Sequence, residues 1–126
     1  SVVVKPYMRD LLREIGSVLG EVPNRLTLEG HTDAQPFGGG DRGYSNWELS
    51  ADRANASRRE LANAGMPEEK LARVVGMASS LLLDPADPLS PSNRRISILV
   101  MTKDAEERLL GGLRVSADGT NEVETQ

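Results

Sequence analysis

No cysteine occurs among the 126 residues. A disulfide framework and a thiolate metal site are thereby excluded, although cytoplasm and periplasm both accommodate cysteine-free domains. Aromatic residues amount to only 3%, too little for a broad platform of rings stacked along sugars. No apolar run approaches the ~18 residues of a membrane helix, and no charged-then-apolar leader opens the chain. Any anchor or export signal is therefore expected outside this stretch. A basic surface is missing too: the net charge is −4 and the pI about 5.0, which argues against a nucleic-acid partner, because phosphate binding needs concentrated positive charge.

What is present suits one globular domain. Hydrophobic residues make up 38% and charged residues 27%, enough apolar surface for an independent core at this length. Met8, Leu11, Leu12, Ile15, Val18 and Leu19 fall at helical spacing, predicting a packing helix opened by Pro6, weakened in the middle by Gly16 and stopped by Gly20. After a Pro23-Asn24 turn, Leu26 and Leu28 alternate with Arg25, Thr27 and Glu29, the pattern of a half-buried strand. That strand delivers its carboxyl end to Gly30-His31-Thr32-Asp33 and a glycine-rich loop, a place where α/β domains hold ligands.

The next helix is the best marked. Ser45 and Glu48 form the capping box S-x-x-E, in which each side chain satisfies a backbone amide left free by the first turn. One stripe then carries Trp47, Ala51, Ala54, Arg58 and Leu61, and an adjacent small-residue stripe carries Ser50, Ala54, Ser57, Leu61 and Ala64. Small side chains let a helix approach a sheet closely, and Trp47 is expected in the core or an interface. Gly65 supplies the stop, and Pro67 opens a turn or short helix. Arg73 to Met77 reads as a second strand, interrupted by Gly76. Ser79 to Asn93, with three prolines, reads as loop, Leu81 to Leu83 being tucked onto the body. Ile96 to Met101 has apolar residues on both faces, predicting a central or doubly covered strand. Asp104 to Leu110 reads as a last helix, and the residues after Gly112 as a polar, irregular tail. Together these elements predict a two-layer α/β (α+β) sandwich, with an N-terminal helix over residues 1–20, a main domain over 21–107 and a tail over 108–126.

Three blocks of this chain, Gly30-His31-Thr32-Asp33, Asn46 to Ala54 and Asn93-Arg94-Arg95-Ile96, resemble in order the signature of OmpA-like peptidoglycan-binding domains: G-H-T-D, N-x-x-L-S-x-x-R-A, and N-R-R before an apolar residue. The loop from Ala34 to Gly43 is longer than the broad family's and resembles that of the flagellar-stator, MotB-type branch. The resemblance covers roughly Pro6 to Lys103. It implies a βαβαβ domain, non-catalytic and without cofactor or metal, that grips diaminopimelate in the stem peptide of the cell wall. A zwitterion of that kind needs one fixed anion and one fixed cation. Asp33 matches the family aspartate for the ammonium, and Arg53 the arginine whose planar fork suits a carboxylate. Thr32, Asn46, Leu49, Asn93 and Arg94 match the other motif positions. The resemblance further implies a periplasmic domain of a single-pass inner-membrane protein, a homodimer, and a MotA-type channel subunit as partner in the full-length protein.

Other readings of the same residues stand beside it. Asp33 and Arg53 could be a surface pair worth ~0 to 1 kcal/mol. His31, the single histidine, suits packing or turn fixing better than catalysis. Asn93-Arg94-Arg95 could simply anchor the last strand. A hydrolase built on His31, Asp33 and Ser50 has no marked nucleophile, since Ser50 is explained by its place in the helix. A dimerising regulatory module using the Met8 to Leu19 helix and strand edges is compatible with wall binding. The loop with its three successive glycines is expected to order only when a ligand engages it.

Overall fold

A computed structural model describes residues 4–37, 43–110, 112–115 and 121–124. Strand β1 (Leu26–His31) is the middle of a three-stranded sheet. It pairs in parallel with β2 (Leu71–Gly76) and antiparallel with β3 (Arg95–Val100). The parallel partner is reached through helix α2 (Asn46–Asn63), because parallel strands need a crossover. Helix α1 (Pro6–Leu19) joins α2 in a single helical layer. One apolar cluster ties both helices to the sheet: Leu12 of α1, Leu61 of α2, Leu26 and Leu28 of β1, and Met66. The two-layer α/β architecture expected from the sequence is the one found.

The two strand expectations exchange places. β1 was expected half-buried, yet Leu26, Thr27, Leu28, Gly30 and His31 are all buried. β3 was expected to be covered on both faces, yet it borders the described sheet, with Leu99 and Val100 exposed. In register, Ile98 lies opposite Leu28 and Ile96 opposite Gly30, so only alternate β3 residues reach the helical layer. Thr27 is polar but tolerates burial because its hydroxyl donates to Met101 Sδ (3.4 Å) and accepts from Arg73 Nε (3.4 Å).

Helix α2 begins as the sequence predicts. Ser45 Oγ accepts from the Trp47 amide (3.2 Å), and Glu48 Oε1 accepts from the Ser45 amide (2.7 Å). The helix is followed by Gly65 in the left-handed region at φ +99°. Its packing stripe is the small-residue one: Ser50, Ala54, Ser57 and Leu61 are buried, while Trp47 is 56% exposed. A core place for Trp47 is thus corrected, and the reason is distance. A Cβ on Gly30 would lie 2.0 Å from the Ser50 carbonyl oxygen, and one on Gly76 would lie 2.7 Å from the Ala51 nitrogen. The first turns of α2 therefore rest directly on two glycines of the sheet, leaving no thickness for an indole. Gly16 plays a related part between helices, where a Cβ would sit 3.2 Å from Ala64 Cβ and from Leu61 Cδ2. It brings α1 close to α2 rather than only weakening α1.

The segment between β2 and β3 is loop, as expected, but Leu81 and Leu83 are exposed rather than tucked in. Polar bonding, not apolar burial, holds this loop. Helix α3 (Lys103–Leu110) follows β3, its start capped by Thr102 Oγ1 accepting from the Ala105 amide (3.0 Å). Within the stretch read as an irregular tail, β4 (Gly112–Val115) and β5 (Asn121–Glu124) form an antiparallel ladder.

Candidate functional site

The motif on α2 has a helical logic. Asn46, Leu49 and Arg53 are spaced by three and four residues, which puts them along one flank of the helix. Facing that flank, the end of β1 continues into Thr32 and Asp33. Both are buried. The Thr32 amide donates to Ala78 O (2.8 Å) and its hydroxyl to Asp33 O (2.9 Å). Asp33 Oδ1 accepts from the Gln35 amide (3.0 Å), and Oδ2 accepts from Arg94 Nη1 (3.1 Å). Asn46 Nδ2 donates to Gln35 O (2.9 Å), so the loop leaving Asp33 is pinned to the start of α2.

Asn93 is fully buried and committed to the preceding loop. Its Oδ1 accepts from the Asp84 amide (2.8 Å), and its Nδ2 donates to Asp87 O (3.0 Å) and Pro88 O (3.3 Å). That loop in turn accepts the Ala34 amide at Pro88 O (2.9 Å). Asn93, one residue before Arg94, thus braces the loop that holds Ala34.

A cavity of about 360 Å3 opens beside these residues. Its wall includes Arg53 and Ser57 of α2, Arg94, Arg95 and Ile96 at the start of β3, and the Val4 to Met8 end of α1. Of the residues singled out in the sequence, the structure brings Arg53 and Arg94 to this wall. Asp33 stands behind Arg94, its carboxylate paired with that guanidinium instead of Arg53. Thr32, Asn46, Leu49 and Asn93 are not on the wall. Two contributors were not foreseen. Arg95 was legible as the third letter of N-R-R, whereas nothing in Lys5-Pro6-Tyr7-Met8 signals that the first turn of α1 would reach the site.

Electrostatics at the start of α2 follow from its hydrogen bonds. The Tyr44 hydroxyl donates to Asp52 Oδ2 (2.6 Å), and this bond raises the tyrosine pKa above its usual value. Glu48 is held below its usual range by the bonds it accepts from the Ser45 hydroxyl and amide. Phe37 and Tyr44 meet with ring centroids 5.3 Å apart, an aromatic clasp across the neck of the long loop. The centre of that loop, residues 38–42, where ordering on engagement was expected, lies outside the described residues.

The residues of the hydrolase alternative are otherwise engaged. Ser50 is fully buried, its hydroxyl donating to Trp47 O (3.0 Å) and accepting from the Ala78 amide (3.0 Å). His31 is buried with Nε2 at 3.1 Å from Glu29 Oε1. The packing role anticipated for this histidine fits that position.

A sequence profile of the OmpA family matches residues 1–95. This chain belongs to the OmpA family. Among relatives, Motility protein B of Escherichia coli is 57% identical over 107 residues, which cover 85% of this chain and 35% of that protein. A putative truncated flagellar export/assembly protein, LafU, of Escherichia coli is 43% identical over 109 residues, 86% of this chain and 51% of the relative. The chain thus spans about a third to a half of the curated relatives it matches. The OmpA-family fold is equally plain in solved structures. The C-terminal domain of Helicobacter pylori MotB superposes with a TM-score of 0.71 at 23% identity, covering 87% of this chain and 85% of that one. The cell wall anchor of the T6SS from Pseudomonas aeruginosa gives 0.66 at 25% identity, covering 82% and 72%. By name these relatives are a motility protein, a putative flagellar export/assembly protein and a cell wall anchor.

Proposed function

We propose that this domain is a non-catalytic peptidoglycan anchor of a flagellar stator, working in the periplasm and holding the diaminopimelate of a stem peptide. The observation that carries the proposal is the placement of Arg94. Its side chain, 49% exposed, lines the cavity with Arg53 while one nitrogen pairs with the buried Asp33 carboxylate. One half-exposed guanidinium thereby stands against the motif's anion and on the same wall as its other cation. An incoming ammonium takes the place of Arg94 on Asp33, an exchange of one cation for another, and the ligand carboxylate settles against Arg53, whose fork suits it bidentately. The relatives named for motility and wall anchoring point the same way. In the full-length protein the domain would follow a single inner-membrane span and serve a MotA-type channel subunit.

Sedimentation with purified peptidoglycan tests this. The wild-type domain is expected in the pellet with the wall undegraded, while folded Asp33→Ala and Arg53→Ala variants stay in the supernatant. Both variants pelleting like wild type would refute the proposal.

A second reading, that two copies pair through α1, is favoured by one feature. Tyr7, Leu11 and Val18 are 70%, 46% and 62% exposed and fall on one helical stripe, an apolar strip without a partner among the described residues. Analytical ultracentrifugation across concentrations decides it, a persistent monomer counting against pairing.

A further inference from the structure

The chain carries 15 Lys and Arg against 19 Asp and Glu, so an average patch of its surface is mildly acidic. The cavity wall is the reverse: Lys5, Arg53, Arg94 and Arg95 line it, and no carboxylate among the described residues does. Only Arg94 has an acidic partner among the described residues, Asp33 at 3.1 Å. Arg95 donates to two carbonyl oxygens, Nη1 to Asn93 O (3.4 Å) and Nη2 to Leu81 O (3.0 Å). Those bonds fix its guanidinium without neutralising the charge. Lys5, the N-cap residue of α1, is exposed on the cavity wall, and its ammonium has no carboxylate partner among the described residues.

Like charges gathered around a concave surface repel one another, and the concavity focuses their field on whatever enters. One carboxylate answers one guanidinium fork. Even while Arg94 is matched by Asp33, three cations of the wall exceed what a single carboxylate can satisfy, and displacement of Arg94 by the ligand ammonium adds a fourth.

We infer that the cavity takes two anionic groups of the same ligand, one at Arg53 and a second in a subsite formed by Lys5 and Arg95 against the first turn of α1. The inference rests on the wall-binding reading of this cavity and adds the class of stem peptide it selects: one with a second, unamidated carboxylate beside that of diaminopimelate. Ile96 and Met8 on the same wall give the methylene groups between such charges an apolar bed.

Calorimetric titration with two synthetic stem tetrapeptides tests it, in both of which diaminopimelate keeps its side-chain carboxylate free and has its other carboxyl in peptide linkage, one with all remaining carboxylates free and one with them amidated. For the wild-type domain, amidation is expected to weaken binding by about three- to tenfold, the difference shrinking as salt is raised. Lys5→Glu should lose a similar factor for the free-acid peptide and bind both peptides alike. Lys103→Glu, the same charge change outside the cavity, should discriminate as wild type does. Equal affinity of the wild type for both peptides, or discrimination that survives Lys5→Glu, overturns the second subsite. It would leave the wall-binding reading standing if Arg53→Ala still abolishes binding. Failure of the wild type to bind either peptide overturns both.

Discussion

Replacing Gly30 with alanine probes the contact that positions the whole site. The added methyl would lie 2.0 Å from the Ser50 carbonyl oxygen, 2.9 Å from its carbon and 3.4 Å from Ala54 Cβ. The two close neighbours are backbone atoms, so no rotamer change relieves the overlap. The first turns of α2 must instead withdraw by about 1.5 Å to regain ordinary van der Waals separation. Overpacking of a rigid contact costs typically 1–3 kcal/mol, and with backbone on both sides about 3 kcal/mol is expected here. For a domain of this size that lowers the melting temperature by about 10 °C. Asn46 and Arg53 move with the helix, and the bond from the Ala78 amide to Ser50 Oγ is broken, so wall binding should fall further than stability alone dictates. Gly20→Ala is the companion variant: its φ is −60° and its nearest neighbour to a new Cβ is at 3.4 Å, so it should be neutral or gain up to about 1 kcal/mol. Thermal unfolding followed by circular dichroism measures both. A Gly30→Ala protein melting within about 2 °C of wild type would refute the close approach of α2 to the sheet.

Two further outcomes follow from side-chain bonding. Asn93→Ala strands buried backbone groups of the Asp84 to Pro88 loop and should cost about 2–4 kcal/mol in urea unfolding, with wall binding lost even though the residue lies off the cavity. An Asn93→Ala domain of wild-type stability would show the loop to be held by other contacts. Glu48 has a folded-state pKa below its usual 4.5, so its contribution is complete above that value and is lost as pH falls through the lowered one. The melting-temperature gap between wild type and Glu48→Ala should therefore be widest near neutrality and close on acidification. A gap unchanged between about pH 7 and pH 3 contradicts the capping role.

Local chemistry was readable wherever the sequence dictates it locally. The capping box at Ser45 and Glu48, the stop at Gly65 and the small-residue stripe of α2 each have one physical meaning, and each appears in the structure. The relation between strands was less readable, because an apolar run on both faces does not say which side a partner occupies. β3 has that run yet lies at the border, while β1 hides Thr27 and His31 through hydrogen bonds that alternation cannot reveal. The site was legible as a set of residues but not as a geometry. Spacing put Asn46, Leu49 and Arg53 on one flank, whereas the pairing of Asp33 with Arg94 joins positions 61 residues apart and depends on the register of β1 with β3. The approach of α1 to the cavity depends on Gly16, whose meaning changes once Ala64 is seen against it.

The place of Trp47 has a practical sequel. It is the chain's single tryptophan, and more than half of its surface meets water in the folded state. Its emission should be nearly as red before denaturation as after, making it a poor gauge of unfolding. Trp47 is also not among the residues that line the cavity, so a ligand seated there should leave its emission unchanged, and a blue shift would instead report a partner covering the start of α2.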